Sequence, residues 1–149
     1  MNNAIYFKTF EIISKHAHVY IDNALEKYGL NHCYRIFIEK VVEKPGISRD
    51  VIKNYTHIHP SNTTRAIDYL ASEGFIIKKT NDLDKRICYL YPTDKLQAVY
   101  NDLIKAEQEW MGLITKDFSE EDKAKYFDLL NKSSNLSMIA IHGDHNGSN

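Results

Sequence analysis

The sequence predicts a mainly α-helical protein with one small β-hairpin set between helices. Three observations carry that expectation. Apolar residues recur at three- and four-residue steps over long stretches of the chain. Only three prolines and six glycines interrupt 149 residues. And one stretch, GFIIKKTNDLDKRICYLYPTD from Gly74 to Asp94, sets two short β-branched and aromatic runs around a charged patch.

The first helix is expected over Asn3 to Tyr28. Phe7, Phe10, Ser14, Ala17, Ile21, Ala24 and Tyr28 follow one face, and Gly29 supplies a C-cap. A second helix runs from His32 to Glu43 on Ile36, Phe37, Val41 and Val42, and Pro45-Gly46 stops it. Ser48 is placed to cap a short third helix reaching Tyr55, with Val51 and Ile52 facing inward. Pro60 opens a fourth at the first helical position, where its missing N–H costs nothing. Ile67 and Leu70 carry the apolar stripe of that helix, and Gly74 closes it. Phe75-Ile76-Ile77 and Ile87-Cys88-Tyr89-Leu90 form the two strands, the second ended by Pro92. A fifth helix spans Thr93 to Thr115. Ser119 caps a sixth, whose first turn holds Glu120, Glu121 and Asp122, where the helix dipole favours acids. Its apolar stripe is Tyr126, Phe127, Leu130, Met138, Ile139 and Ile141, and the tail from His142 onward is expected to fray.

Composition narrows the function classes. A chain of this length buries roughly 70% of its unfolded surface, so neither disulfide nor metal is needed for stability. Cys33 and Cys88 give no disulfide framework and no metal-ligand spacing, and Cys33 reads as a buried structural thiol. His57-x-His59 and His142-x-x-His145 lack accompanying ligands and read as surface histidines. No apolar run suits a signal peptide or a membrane span, which places the protein in the cytoplasm. No phosphate loop, nucleophile elbow or metal triad is present, so an enzyme is not expected and no cofactor is called for. Net charge is only −1, yet Ser48 to Tyr91 holds seven Lys/Arg against five Asp/Glu. The middle of the chain is therefore its basic part.

The order of helix, short helix, helix and hairpin in that basic part is a winged helix-turn-helix. The short third helix and the fourth meet through a turn at His57-Ile58-His59. In such a unit the second helix lays its N-terminal residues on base edges in the major groove. Those residues are Ser61-Asn62-Thr63-Thr64-Arg65. Thr63 falls on the Ile67/Leu70 stripe and points inward; Ser61, Asn62, Thr64 and Arg65 point out. Asn suits adenine, Arg suits guanine, and Thr meets a base edge or a thymine methyl.

The run from Tyr28 to Lys95 resembles the multiple-antibiotic-resistance regulator (MarR) family of transcription factors. Gly29-Leu30 matches the opening of that family's second helix, and Pro45-Gly46-Ile47 its following turn. Thr64-Arg65, Leu70 and Gly74-Phe75-Ile76 match the recognition helix and its exit. Asp84-Lys85-Arg86 matches the aspartate-x-arginine wing signature, and Thr93 the start of the fifth helix. Lys78 replaces a common arginine, and Pro92 and Leu96 depart from the pattern around Thr93. The resemblance implies that Arg86 inserts into the minor groove, that Asp84 holds it, and that Lys79 and Lys85 meet phosphates. It also implies a dimerisation platform built from residues 1–30 and 93–149, with the DNA-binding domain at 31–92.

One winged unit carries few cations, so a homodimer reading a two-fold pseudopalindrome in double-stranded DNA is expected. Trp110, Leu113, Phe118, Leu130, Met138 and Ile139 supply apolar surface for that platform. The expected function is a sequence-specific DNA-binding transcriptional regulator, with repression as the first expectation and activation as the alternative. The resemblance leaves room for a small-molecule effector in a cleft lined by Tyr6, Tyr20, Tyr34 and Phe37. The competing reading is a winged-helix protein-interaction module without specific DNA binding, which the near-neutral charge favours and the intact Asn62/Arg65 and Asp84/Arg86 oppose.

Overall fold

The computed structural model describes residues 3–56 and 60–143. The expected turn at His57-Ile58-His59, both histidine pairs and the end of the tail therefore fall outside the described side chains. The elements are α1 (Asn3–Leu25), α2 (Arg35–Glu43), β1 (Ile47–Ser48), α3 (Arg49–Thr56), α4 (Pro60–Ser72), β2 (Ile76–Thr80), β3 (Cys88–Pro92), α5 (Asp94–Ile114) and α6 (Glu120–His142). Two single 3₁₀ turns, Glu26–Tyr28 and His32–Tyr34, join α1 to α2. The chain divides into two compact units, Met1–Trp110 and Met111–Asn149. Among the described residues no helix is long and apolar enough to cross a membrane.

The first unit closes around one core. Ile21 and Leu25 from α1 meet Phe37, Ile38 and Val41 from α2, Ile52 from α3, and Ile67 and Leu70 from α4. Phe75, Ile76 and Leu90 join from the sheet, and Leu96, Val99 and Leu103 from α5. Each fully buried aliphatic or aromatic side chain contributes about 1.5–3 kcal/mol relative to exposure. α1 outruns this core. Its predicted stripe is followed only from Ser14 to Tyr28, while Phe7 and Phe10 stand exposed.

The expected two-stranded hairpin is a three-stranded antiparallel sheet, in the order β1-β3-β2. β1 is two residues long, too short to leave a period in the sequence. Ile47 pairs with Leu90 and Ser48 with Tyr89. Gly46 makes this possible: its N–H donates to the Leu90 carbonyl at 2.8 Å, its φ is 86°, and a Cβ there would come within 3.2 Å of the Tyr91 hydroxyl. β2 and β3 both start and end later than their expected bounds, because Phe75 belongs to the helix exit. Its N–H donates to Leu70 O at 2.8 Å and its ring is fully buried.

Thr93 locks the sheet to α5. Its hydroxyl lies 2.8 Å from both the Gly74 and Phe75 carbonyls, and its oxygen accepts from Leu96 N–H at 3.3 Å. One threonine thus serves as the cap of α5 and as a clamp on the exit of α4.

Two further expectations are corrected. Val51 faces out and is 41% exposed, whereas Ile52 alone of the pair is buried. Adjacent residues on an eight-residue helix cannot both face one core. Cys33 is exposed rather than buried, because the 3₁₀ turn at His32–Tyr34 swings it off the inner face of α2. In the second unit Ser119 caps α6 as expected, accepting from Asp122 N–H at 3.1 Å. Along α6, Leu129, Leu136, Met138, Ile139 and Ile141 are all exposed.

Candidate nucleic-acid interface

The outward face of α4 follows from what its inward face buries. Thr63 is 0% exposed and Ile67 and Leu70 lie in the core. A 3.6-residue period then turns Ser61, Asn62 and Arg65 to solvent, and leaves Thr64 half-buried at the edge. Beneath the helix, α3 is anchored by Ser48, whose Oγ accepts from Val51 N–H at 3.3 Å. Two interactions fix the rotation of α4. Tyr69 donates its hydroxyl to Gly29 O at 3.2 Å and its ring packs 5.3 Å from that of Tyr34. Lys78 on β2 reaches Asp68 at 2.8 Å, tying the sheet to the solvent side of the helix.

The loop between β2 and β3, residues 81–87, is built by short side chains that bind its own backbone. Asn81 Oδ1 accepts from Leu83 N–H at 2.8 Å and from Asp84 N–H at 3.1 Å. Its amide donates to the Tyr89 hydroxyl at 3.3 Å, which fastens the loop to β3. Asp84 then takes Arg86: its Oδ1 accepts from Arg86 N–H at 3.0 Å and from Nε at 3.1 Å, and its Oδ2 lies 3.4 Å from Nη2. The Arg86 backbone N–H, and after it the guanidinium, hold the Asp84 carboxyl below the usual carboxylate range. Arg86 remains 92% exposed on its side chain, so the pair aims a cation outward without hiding it. The pairing arises from an Asx-type turn rather than from an extended strand.

The other predicted cations differ in their surroundings. Lys79 lies 4.8 Å from the centre of the Tyr91 ring, a cation–π contact that steadies its stem. Lys85 is 3.8 Å from Asp82 and largely exposed. Sequence reasoning missed Asn81, Tyr69 and the Asp68–Lys78 pair. Asn81 was findable as an Asn opening a polar turn; the other two join residues that no local pattern connects.

Of the four residues expected to line an effector cleft, two come together. Tyr34 and Phe37 border a cavity of about 500 Å3 that also takes in Asn62 and Arg65. Tyr20 instead donates to Glu109 at 3.2 Å and packs 5.6 Å from the Trp110 ring, and Tyr6 is exposed. Among the described residues no group of three or more His, Cys, Asp or Glu side chains is placed to hold a metal ion.

A two-helix unit with an exposed polar N-terminal face, followed by a hairpin aiming an arginine outward, defines a winged helix-turn-helix fold. No family model matches the chain. It is 25% identical over 114 residues to the HTH-type transcriptional regulator BilQ of Clostridium symbiosum, covering 76% of this chain and 79% of that one. It is 27% identical over 97 residues to the uncharacterised HTH-type transcriptional regulator YybA of Bacillus subtilis, covering 65% of each. Among solved structures it superposes on a MarR protein from Peptoclostridium difficile with a TM-score of 0.79 at 27% identity, over 92% of this chain and 89% of that one. A MarR transcriptional regulator from Methanosarcina mazei gives the same TM-score at 21% identity, over 93% and 92%. The chain is thus similar, in sequence and in fold, to transcriptional regulators of the MarR type.

Proposed function

We infer that the protein binds a pseudopalindromic site in double-stranded DNA as a homodimer in the cytoplasm and represses transcription from it. The observation that carries this reading is the Asp84–Arg86 pair on an ordered loop, which uses three hydrogen bonds to direct a cation that stays in solvent. A fixed, exposed guanidinium suits the negative potential of a narrow minor groove. Ser61, Asn62, Thr64 and Arg65 supply the major-groove face, with Lys79 and Lys85 on phosphates. Residues 31–92 act as the DNA-binding domain, and residues 1–30 and 93–149 as the platform.

Dimerisation is supported by apolar surface on each of two helices. Ile5, Phe7, Phe10 and Ile12 on α1 are more than half exposed, as are Leu136, Met138 and Ile141 on α6. Scattered exposed apolar residues are ordinary, but runs of this kind mark interfaces. Selection of genomic fragments bound at low salt, followed by a footprint, tests the reading. Two half-sites about 10 base pairs apart, or a multiple of that, are expected for a two-fold protein. Enrichment of no sequence over bulk DNA would favour the protein-interaction module instead.

A further inference from the structure

The loop between β2 and β3 carries one apolar side chain that its charges leave unexplained. Leu83 is 98% exposed, and among the described residues no other large apolar side chain stands as open; Ile141 follows at 77%. Single exposed leucines are ordinary on a surface, but the backbone of this one is held in place. Its N–H donates to Asn81 Oδ1 at 2.8 Å, and the Asn81 amide is itself fastened to the Tyr89 hydroxyl. Asn81 N–H donates to the Ile87 carbonyl at 3.0 Å and Ile87 N–H to the Asp84 carbonyl at 3.0 Å, so the base of the loop is closed as well. The loop thus presents a leucine to water on a fixed backbone, two residues from Asn81 and three from Arg86.

The charges around Leu83 do little to hold the loop on a polyanion. Asp82 and Asp84 offset Lys85 and Arg86 in number. The offsets are local too: Lys85 lies 3.8 Å from Asp82, and Arg86 lies 3.1 Å from Asp84. A loop without net charge gains little from long-range attraction to phosphates. Its hold on DNA must come from contacts at short range, and Arg86 supplies one of them. The minor groove offers a second kind. It is about 6 Å wide, and narrower still in A-tracts, so its deoxyribose walls bring C–H groups close to whatever enters it. Leucine is among the apolar residues that proteins place in that groove.

We propose that Leu83 packs against the deoxyribose walls of the minor groove beside Arg86, so that the loop holds DNA by an apolar contact as well as by a cation. The proposal rests on the DNA-binding reading above and adds to it a residue that no charge pattern marks. The two side chains divide the work. Arg86 answers to the potential of the groove and therefore to salt. Leu83 removes carbon from water and is indifferent to salt.

A DNA fragment recovered by the genomic selection is the probe, with Leu83→Ala, Leu83→Met and Arg86→Ala as the variants. Leu83→Ala keeps the backbone N–H that Asn81 binds, so its thermal melt should match the wild type. Its DNA affinity should fall at least about tenfold per dimer, from what burying one leucine in each subunit is worth. The slope of log K against log salt should stay as it was. Leu83→Met keeps the apolar volume and should restore binding. Hydroxyl radicals cleave DNA at exposed deoxyribose C–H groups and so read the contact directly. At saturating protein, the wild type should protect minor-groove sugars that Leu83→Ala leaves open to cleavage. Wild-type affinity and protection in Leu83→Ala would overturn the proposal. A loss of affinity with a shallower salt slope would overturn it too, because Leu83 would then act by orienting Arg86. Arg86→Ala separates this failure from that of the underlying reading. If Arg86→Ala weakens binding and Leu83→Ala does not, the loop enters DNA and only the leucine contact is wrong. If neither variant weakens binding, the loop does not enter DNA. If the selection recovers no fragment, the DNA-binding reading fails and the leucine contact falls with it.

Discussion

Asn81→Ala should separate stability from DNA binding. The side chain accepts from Leu83 N–H and Asp84 N–H and donates to the Tyr89 hydroxyl. Leu83 is 98% exposed, and the loop that holds it is wet, so water replaces the missing acceptor for at least one N–H. Net hydrogen bonds are worth about 0.5–1.5 kcal/mol each, and re-solvated ones sit at the low end, so a total near 1 kcal/mol is expected. For a chain of this size that is a fall in Tm of about 2–4 °C. The effect on DNA affinity should be larger. Releasing two loop residues that must then be re-ordered on binding costs about 2–4 kcal/mol, since fixing one residue's backbone costs about 1–2 kcal/mol. Affinity should therefore drop at least about tenfold per dimer at constant salt. Thermal denaturation by circular dichroism and a DNA titration on the same preparation provide the two readings. A Tm loss above about 8 °C with unchanged affinity would refute the reasoning, because it would make Asn81 a core residue and the loop irrelevant to DNA.

Three further outcomes are expected. Sedimentation at low micromolar concentration should report about twice the 17.3 kDa chain mass, and Phe10→Glu should shift the protein toward monomer; an unaltered dimer would remove that face of α1 from the interface. Arg65→Ala should relax sequence preference as well as affinity, by about 1–3 kcal/mol per site if its contact is bidentate. Equal weakening on all sequences would make it a phosphate contact. Asp102 is held below its ordinary value of 3.8, first by Lys27 and then by the Tyr28 hydroxyl. Its contribution to stability is thus complete above that value and is lost as pH falls through the lower folded-state value. Asp102→Asn should flatten the acid end of the stability–pH curve, and identical curves would show that the pair contributes nothing.

The helices were legible because their burial follows a local period. Ile21, Ile52, Ile67, Leu70 and Thr63 all face the core as their spacing requires. The outward face of α4 was legible for the same reason: once Thr63 and Ile67 are inside, Asn62 and Arg65 are outside. β1 was not legible, since its two residues are selected by β3 across a sequence gap of more than forty residues. The contact of Asp22 with His32, 2.7 Å from both its backbone N–H and its ring Nδ1, was hidden likewise. Cys33 looked like a helical core position until the 3₁₀ turn rotated it outward, and Asp22 reaches His32 only because Gly29, at φ 71°, folds the chain back at the end of α1. Exposed apolar residues on α1 and α6 were legible as stripes, but a stripe does not say whether its own chain covers it.

The central claim is that Arg86, aimed by Asp84, enters DNA. The most direct measurement is DNA affinity across a salt series for the wild type and Arg86→Ala. The wild type should show a steep linear fall of log K with log salt. The variant should bind more weakly, with a slope shallower by about 1 for each phosphate that the guanidinium neutralises in each subunit. Superimposable curves for the two proteins would contradict the account and leave Arg86 as an exposed charge on a solvated turn.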